Sequence, residues 1–476
     1  KTKNKIVEYI GVNADAGIGK TRFIKEFIDS VYETKYSKKY CITGYASNIS
    51  SQPYQIFISL IKDHVGISYL DNEQSVKKKI KNFFDDLSPT LEPELKKSFD
   101  NCFPIISFLL GIKVDDPRLH DKGKGLQTHI QLSLNVFIKA IAHKTNLSGL
   151  PLMIIIEDLH WVDRLSQSVI EYIAQDINID KIDQKDLDNI LFIFSYRPSF
   201  KFLDTYKGIS LTEVILKPFN DTQSKELINE YLKDYKISND TIDELLKKSD
   251  GNPFFIEQYL KLFKDDSSQI EGYEIPDNLN SLILSRIDEL GDDLKFVLQK
   301  ASVVGEKFYR MILQIIDEKL DSTLNLNDLI QELEGKDFFN QDISMDDLYH
   351  FKHILTRDVA YNTILKSNKK ILHQFSAEII EQNFSHSIEN FYYDLANHYD
   401  IAEDSVNTLK YLELASKRAR DLFDNHQAIK FYNRMLDLVS EDNYQKQIEI
   451  KLKVIQVYQL IGEWDNCYGM LNKILS

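Results

Sequence analysis

One short segment near the amino terminus combines residue types that can bind phosphate. Ala14–Thr21 has the form A-x-x-x-x-G-K-T, with two glycines, a lysine and a hydroxyl side chain. In such a loop successive backbone N–H groups form a concave anion site, and glycine permits the close approach that phosphates require. The lysine brings positive charge to the β and γ phosphates, and the threonine hydroxyl binds Mg²⁺. The predicted nucleotide-binding residues are Ala16, Gly17, Ile18, Gly19, Lys20, Thr21 and Arg22.

The context of this segment favours a phosphate-binding loop over a glycine turn without a ligand. The apolar run IVEYIG precedes it as a predicted strand, and the amphipathic run TRFIKEFIDSVY follows it as a predicted helix. A helix that begins near Lys20 adds the positive end of its dipole to the anion site. Ala14 stands where the pattern usually has its first glycine, and a methyl group there can point away from the phosphates. We therefore expect nucleotide binding, with the ligand-free turn as the alternative.

Two acidic side chains follow a run of five apolar residues. Leu152–Ile156 is uninterrupted apolar sequence, and Glu157 and Asp158 come directly after it. Ligands of open α/β sheets bind at the carboxyl ends of the strands, where one acid can hold Mg²⁺ and the other can orient or deprotonate the attacking water. We assign Glu157 to the metal side and Asp158 to the base, and the two roles are exchangeable. The predicted metal ligands are Thr21, Glu157 and Asp158; two solvated acids are the alternative.

A third candidate is Arg197, which ends the next predicted strand in the sequence ILFIFSYRP. Its planar guanidinium suits phosphate oxygens, so we predict a catalytic residue that senses the γ-phosphate. The alternative is a surface arginine that precedes the turn-forming Pro198.

The first 215 or so residues alternate short apolar runs with helical patterns, which is typical of a parallel sheet in an α/β fold. The third, fourth and fifth runs are nearly continuous apolar sequence, as expected of strands covered on both faces. The stretch between the second and third runs is mostly helical and too long for a simple crossover. The predicted strands are Ile6–Gly11, Tyr40–Tyr45, Leu152–Ile156, Ile190–Ser195 and Thr212–Leu216.

Beyond Pro218 the pattern becomes helical, with Asp221 or Thr222 as the predicted N-cap of the first helix. A break at Gly251-Asn252-Pro253 separates two helices, and KDFFNQDISMDDLYHFKH could hold a hairpin. Near the end, Leu422–Leu436 aligns with Ile461–Leu475, which favours tetratricopeptide repeats of about 34 residues with a longer loop over a non-repeating bundle. The predicted domains are a nucleotide-binding α/β domain (1–217, helical insertion about 60–135), a helical lid (218–272), a winged-helix-like domain (273–350), a helical connector (351–400) and incomplete helical repeats (401–476).

Composition excludes several classes of protein. The 476 residues carry a formal net charge of −15, so non-specific nucleic-acid binding is not expected, and acidic residues prevail even in the winged-helix-like segment. No run reaches the ~18 apolar residues of a membrane span. Cys41, Cys102 and Cys467 have neither zinc nor disulfide spacing, which favours a reducing cytoplasm. The sequence lacks an initial methionine and stops inside a helical pattern, so we expect a fragment of a longer protein.

The order of the motifs resembles an AAA/STAND-type ATPase module followed by tetratricopeptide repeats. The motifs include ADAGIGKTR, IIIEDLHWVDRLS, FSYRP, DGNPFFIEQYL, IPDNLNSLILSRIDEL and YHFKHILTRDVAYNTIL. Such modules are found with class III adenylyl and guanylyl cyclase domains and in large LuxR-type transcription regulators. The resemblance implies ATP/ADP and Mg²⁺ as cofactors. It also implies Pro253 near the adenine and His353 near a phosphate, although a core histidine with satisfied nitrogens is the alternative for the latter.

The resemblance implies a regulatory ATPase switch, most directly the regulatory region of a nucleotide cyclase whose catalytic domain is outside this sequence. No arginine stands out as a finger from a neighbouring subunit, so slow hydrolysis is expected. The repeats are expected to bind a protein partner or a neighbouring output domain, and an oligomer is possible. The alternatives are part of a STAND-type transcription regulator and an interaction scaffold that is stabilised by nucleotide without turnover.

Overall fold

The computed structural model describes residues 7–31, 40–46, 52–68, 71–120, 124–182, 189–206, 209–232, 238–265, 275–320, 324–342 and 347–475. Five strands form the first sheet: β1 (Val7–Asn13), β2 (Cys41–Tyr45), β3 (Leu152–Glu157), β4 (Ile190–Tyr196) and β5 (Leu211–Ile215). The sheet is parallel, with the order β2-β3-β4-β1-β5. The strands match the predicted runs to within two residues. A parallel sheet followed by a largely helical region confirms the predicted fold class.

The chain divides into two compact units. The first contains residues 1–11, 28–213 and 380–476, and the second contains residues 12–27 and 214–379. The loop after β1 and most of the helix that follows it therefore belong to the second unit. The domain boundaries predicted from the sequence are not decided by this division and stay predictions.

The strand β3 lies inside the sheet, between β2 and β4. Met153 lies opposite Cys41 of β2 and opposite Leu191 of β4, both in parallel register. All five residues of the run 152–156 are buried, and only Glu157 at the end of the strand is partly exposed. The run contains no polar residue because both faces of a central parallel strand are covered.

Helices surround this sheet, and most of them lie between β2 and β3. Phe84 is the middle of an aromatic cluster there, with its ring centroid 4.2 Å from that of Phe99 and 5.2 Å from that of Phe103. The predicted helical insertion is therefore present, and its helices extend from residue 55 to 146. The helices of this part of the chain are α1 (Lys20–Val31), α2 (Gln55–Val65), α3 (Glu73–Leu87), α4 (Pro93–Asp100), α5 (Phe103–Leu109), α6 (Lys124–Asn146), α7 (Arg164–Ile182) and α8 (Phe202–Thr205).

Three helices follow β5 in the second unit: α9 (Asp221–Tyr231), α10 (Asn239–Ser249) and α11 (Pro253–Asp265). The predicted break at 251–253 is confirmed. The predicted N-cap of α9 is wrong, because Asn220 occupies that position. Its side chain accepts from Gln223 N at 2.9 Å, and Gln223 Oε1 accepts from Asn220 N at 3.1 Å. This reciprocal pair satisfies two N–H groups that a cap at Asp221 or Thr222 would leave without a partner.

The rest of the second unit combines helices with a small antiparallel sheet. The sheet has the order β6-β8-β7, and Phe339 of β7 pairs with Phe351 of β8, which confirms the predicted hairpin. The assignment of residues 273–350 to a winged-helix-like domain stays a prediction. The elements are α12 (Leu279–Asp288), α13 (Asp292–Val304), β6 (Lys307–Tyr309), α14 (Arg310–Lys319), α15 (Leu326–Gly335), β7 (Phe339–Gln341), β8 (Leu348–Phe351), α16 (Ile354–Asn362) and α17 (Lys366–Asn383).

Five further helices complete the first unit: α18 (Tyr392–Ile401), α19 (Ser405–Asp421), α20 (Asn425–Leu438), α21 (Tyr444–Ile461) and α22 (Trp464–Leu475). Consecutive helices contact each other, and small buried residues such as Ala415 and Ala428 lie where they approach. The two aligned sequence segments correspond to α20 and α22. The all-helical character is confirmed, and the assignment to tetratricopeptide repeats stays a prediction.

A buried ion pair inside the second unit gives a test of its packing. Lys300 of α13 donates to Asp317 of α14, and both side chains are buried. We expect Lys300→Met to lower the free energy of unfolding by about 3–5 kcal/mol, because the Asp317 carboxylate would stay buried without its counter-charge. The double substitution Lys300→Met with Asp317→Leu should recover most of that loss. Urea unfolding of wild type, the single variant and the double variant measures these free energies. Breaking such a pair costs several kcal/mol, so a free energy of unfolding for Lys300→Met within about 0.5 kcal/mol of wild type would contradict the prediction.

Candidate nucleotide-binding site

The loop after β1 has the backbone of an anion site. Gly17 and Gly19 have φ values of +81° and +106°, a region that residues with side chains rarely adopt. The helix α1 begins at Lys20, so the amino-terminal N–H groups of a helix lie directly after the loop. Ala14 is 2% exposed, so its methyl group packs into the protein interior. The replacement of the usual first glycine is therefore compatible with the loop.

Lys20 holds its side chain against the same loop. Its Nζ donates to the carbonyl oxygens of Ala14 at 2.8 Å and of Asp15 at 3.1 Å. The ammonium group is thus positioned beside the turn rather than extended into solvent. Positive φ values at two glycines, a helix amino terminus and this ammonium group together fit a polyanion such as the phosphates of a nucleotide.

Two residues at the start of α11 contact the loop within the second unit. Asn252 Nδ2 donates to the Ala16 carbonyl at 3.1 Å, and Phe254 N donates to the Gly17 carbonyl at 3.3 Å. Pro253 lies between them as the first residue of the helix, the position where its missing N–H costs nothing. The sequence-based prediction named Pro253 and missed Asn252. An asparagine directly before a proline at a helix start is an N-cap signal, which could have drawn attention to it.

His353 lies close to the same helix. Its ring centroid is 4.0 Å from that of Phe254, and its Nε2 is buried without a hydrogen-bond partner among the residues that the structure describes. Burial lowers the pKa of His353 to about 4, against the raising effect of Glu257. The imidazole is therefore neutral at physiological pH. A position near a phosphate and a role as a core histidine both stay predictions for this residue.

The two predicted acids lie at the end of β3 in the first unit. Glu157 is its last residue, and Asp158 has φ +53°, a left-handed conformation that aspartate tolerates better than most residues. Asp158 N donates to Ser195 Oγ on the neighbouring strand β4 at 3.0 Å. This turn changes the chain direction directly after the strand, so that successive side chains leave the sheet at different angles. Ser195, the polar residue within the apolar β4, was not singled out in the sequence.

Arg197 follows β4 directly and is partly exposed. Its carbonyl accepts from Phe200 N at 2.9 Å, which closes the turn after the strand. Within the described part of the chain its guanidinium has no ion pair. The first unit therefore brings Glu157, Asp158 and Arg197 to the carboxyl ends of two adjacent strands, and the second unit brings residues 16–21, Pro253 and His353 together.

Comparison with known proteins agrees with this geometry. Residues 7–192 match the family described as the AAA ATPase domain, and this segment contains both the glycine loop and the acidic pair. An uncharacterized protein of Rhizobium meliloti (strain 1021) is 21% identical over 290 residues, which is 59% of this chain and 26% of that protein. The chain thus spans about a quarter of the length of this relative.

Two solved structures are similar over longer parts of the chain. One is the Pyrococcus horikoshii Signal Transduction ATPase with Numerous Domains (STAND) protein with a tetratricopeptide repeat sensor, at 13% identity and a TM-score of 0.46, covering 99% of this chain and 62% of that one. The other is the Aeropyrum pernix ORC2 protein in ADPNP–ADP complexes, at 10% identity and a TM-score of 0.31, covering 79% and 89%. At these values neither likeness assigns a function.

The segment that matches the AAA ATPase domain family has a structural carboxylate beside its acidic pair. Asp163, the last residue of EDLHWVD, accepts from Tyr54 N at 3.1 Å, Gln55 N at 3.2 Å and Ser166 N at 2.8 Å. It therefore joins the starts of α2 and α7. Burial raises the pKa of Asp163 to about 6, and the nearby Asp424 carboxylate adds to the increase. The motif thus contains one residue that the sequence-based prediction did not assign.

No group of three or more His, Cys, Asp and Glu side chains in the described ranges forms a metal site. A Mg²⁺ ion would depend on few protein oxygens together with water and phosphate, as is common for this ion at phosphate sites. Thr21, Glu157 and Asp158 supply oxygen donors of the suitable kind. Among the described residues, no helix combines the length and apolar character needed to cross a membrane.

The two loop glycines should differ in their tolerance of a side chain. A Cβ at Gly17 would lie 2.8 Å from Asn252 Oδ1 and 3.0 Å from Phe254 Cβ, whereas a Cβ at Gly19 would meet nothing within 4 Å. Gly19→Ala should therefore cost only the conformational strain, about 1 kcal/mol of unfolding free energy, and Gly17→Ala about 2–4 kcal/mol. Thermal and urea unfolding without nucleotide measure both, and equal losses would contradict the assigned contacts.

Asp163 should have a stability effect that depends on pH. The pKa of Asp163 is about 4 in the unfolded chain and is raised on folding. Protonation of Asp163 therefore stabilises the folded state. This stabilisation is complete below pH 4 and is lost as the pH rises through 6. We expect the stability of wild type relative to Asp163→Asn to decrease between pH 4 and 6 and to be constant above. Asp163→Ala, which removes both caps, should be less stable than Asp163→Asn at every pH, by about 1–2 kcal/mol. A flat pH profile for the Asn comparison would contradict this.

Proposed function

We propose that this chain is an ATP-binding regulatory module that works as a slow ATPase switch. The observation that carries the proposal is the loop at residues 16–20, where two glycines with positive φ, a helix amino terminus and the Lys20 ammonium form an anion site inside an AAA ATPase domain. ATP and ADP are the polyanions that domains of this family bind, and Mg²⁺ accompanies them.

The residues of the site have distinct proposed roles. Backbone N–H groups of Gly17–Thr21 bind the β and γ phosphates, and the Thr21 hydroxyl binds the metal. The loop is completed by Ala16, Ile18 and Arg22. Glu157 holds the metal-bound water, and Asp158 orients the attacking water and accepts its proton. Arg197 senses the γ-phosphate. Mg²⁺, when bound, neutralises the charge that develops on the phosphates.

Pro253 and His353 extend the proposed nucleotide contacts beyond the loop to other segments of the second unit. Pro253 packs near the adenine. His353, neutral and with a buried Nε2 that has no partner among the described residues, donates to or accepts from the nucleotide without adding a charge. The γ-phosphate would then favour one arrangement of the helical and winged-helix-like segments, and its loss would favour another.

The C-terminal helices contact the ATPase domain within the first unit, which supports a regulatory role for them. Gln52 Nε2 donates to Asp394 Oδ2 at 2.6 Å, and the Arg418 guanidinium lies 4.7 Å from the Phe108 ring centroid. The hydroxyls of Tyr54 and Tyr393 are buried without partners in the described part of the chain. Each unsatisfied group costs about 1–3 kcal/mol, so this polar contact is weaker than an apolar one of equal size and suited to regulated release.

The wider context in this proposal is the regulatory region of a class III adenylate or guanylate cyclase in the cytoplasm, with a protein partner or output domain bound to the C-terminal helices. The exposed side chains of Tyr444, Trp464 and Tyr468 offer apolar area for such a partner. The three thiols are free, as in a reducing compartment. A STAND-type transcription regulator would use the same switch with another output.

Substitutions in the loop and at the acidic pair should separate binding from hydrolysis. Lys20→Ala should lower the affinity for Mg·ATP at least about 100-fold, because it removes the ammonium from the phosphates. Asp158→Asn should keep the affinity within about threefold and lower kcat at least about 100-fold, as expected for loss of a general base. Isothermal titration calorimetry and phosphate release measure the two quantities.

The controls are Lys25→Ala, an exposed lysine on the same helix, and Asp85→Asn, an exposed acid on α3. Both should behave as wild type. Absence of ATP and ADP binding to folded wild-type protein in millimolar Mg²⁺ would refute the proposal. Binding without turnover, together with normal regulation in Asp158→Asn, would instead favour a scaffold stabilised by nucleotide.

A further inference from the structure

The structure points to Asn252 as the positioning residue of the phosphate-binding loop. We propose that its side-chain amide fixes the peptide planes of the loop in the orientation that binds phosphate, and that it does so from the helix α11, far from the loop in sequence. This inference rests on the proposed function and adds a residue that holds the anion site without touching the nucleotide.

Two consecutive carbonyl groups of the loop are held by the start of α11. Asn252 Nδ2 donates to Ala16 O at 3.1 Å, and Phe254 N donates to Gly17 O at 3.3 Å. In a trans peptide unit the C=O and the following N–H point in opposite directions. The N–H groups of Gly17 and Ile18 are therefore directed away from α11. These are among the N–H groups that a concave anion site presents to its ligand.

The same side chain also caps α11, so both ends of its amide are used. Asn252 Oδ1 accepts from Phe254 N at 3.0 Å and from Phe255 N at 3.2 Å, the acceptor role of an N-cap residue. Aspartate or serine could fill the acceptor role, but neither has the N–H donor that reaches Ala16. The requirement for asparagine therefore comes from the loop and not from the helix.

The turn before Asn252 fixes its position. Gly251 has φ +69°, and a Cβ there would lie 2.0 Å from the carbonyl oxygen of Phe219. Phe219 N donates to Gly251 O at 2.8 Å, which ties the turn to the segment that follows β5. On the loop side, a Cβ at Gly17 would collide with Asn252 Oδ1. The close contact with Asn252 therefore favours glycine at position 17, and the bond to Ala16 O favours asparagine at position 252.

A matched control exists in the same unit. Asn278 is the N-cap of α12, and its Oδ1 accepts from Ser281 N at 2.9 Å. Asn278 and Asn252 both precede a helix directly and accept from its first N–H groups. The bond that Asn278 makes as a cap lies within its own helix α12. Substitutions at Asn278 therefore report the effect of an altered N-cap alone.

The experiment compares Asn252→Asp, Asn252→Ser, Asn278→Asp and Asn278→Ser with wild type in the full chain. Isothermal titration calorimetry with ADP and with Mg·ATP gives the Kd, and thermal unfolding without nucleotide gives the Tm. We expect both Asn252 variants to raise the Kd about tenfold, since each loses one hydrogen bond that orients the loop, with a Tm within about 2 °C of the matching Asn278 variant. The Asn278 variants should keep the Kd within twofold of wild type, about 0.4 kcal/mol.

Serine serves to separate two causes. If Asn252→Asp weakens binding and Asn252→Ser does not, charge repulsion by the new carboxylate explains the loss and the inference is overturned. A Kd within twofold of wild type for both Asn252 variants (under about 0.4 kcal/mol) overturns it as well, as does an equal loss in the Asn278 variants. Failure of wild type to bind nucleotide would instead refute the proposed function, so the two failures are distinguishable.

Discussion

A loop that binds phosphate must present several N–H groups on one side and satisfy its carbonyl oxygens on the other. In this protein the carbonyl oxygens of Ala14 and Asp15 accept from Lys20, and those of Ala16 and Gly17 accept from the start of α11. Four consecutive carbonyl groups are thereby engaged. The geometry of the anion site consequently depends on the Lys20 side chain and on two groups at the start of α11, a helix that lies in the same compact unit as the loop.

The remaining parts of the molecule differ in how they are held together. Apolar contacts dominate the sheet and the aromatic cluster of the insertion, where the Phe84 ring stacks on Phe99 and lies edge-to-face with Phe103. The contact between residues 28–213 and the C-terminal helices of the first unit contains buried carboxylates and tyrosine hydroxyls instead. Asp163 and Asp424 are both buried acids whose pKa values are raised by burial. Apolar packing stabilises each element, whereas polar contacts with imperfect satisfaction are easier to exchange with water.

The sequence predicted the sheet well because strong local signals determine it. Continuous runs such as LMIII and ILFIFS fit a strand covered on both faces and little else. Gly17 and Gly19 could be predicted because the motif is defined by their spacing from Lys20 along the sequence. The N-cap of α9 was misplaced by one residue, because Asn, Asp and Thr in succession are all good caps and only the reciprocal bond with Gln223 selects Asn220. Asp163 and Asn252 were missed because their partners are distant in sequence.

The sequence by itself determined which residues can do chemistry: the glycine loop with Lys20 and Thr21, the acids after β3, and Arg197 after β4. It also determined the order of sheet and helices, since periodicity and breaks are local properties of the chain. Only the tertiary structure decided that Asn252 holds the loop, that Asp163 caps two helices, and that His353 is neutral with a buried nitrogen. Hydrogen bonds over long sequence separations and desolvation arise when the chain has packed, and no local pattern encodes them.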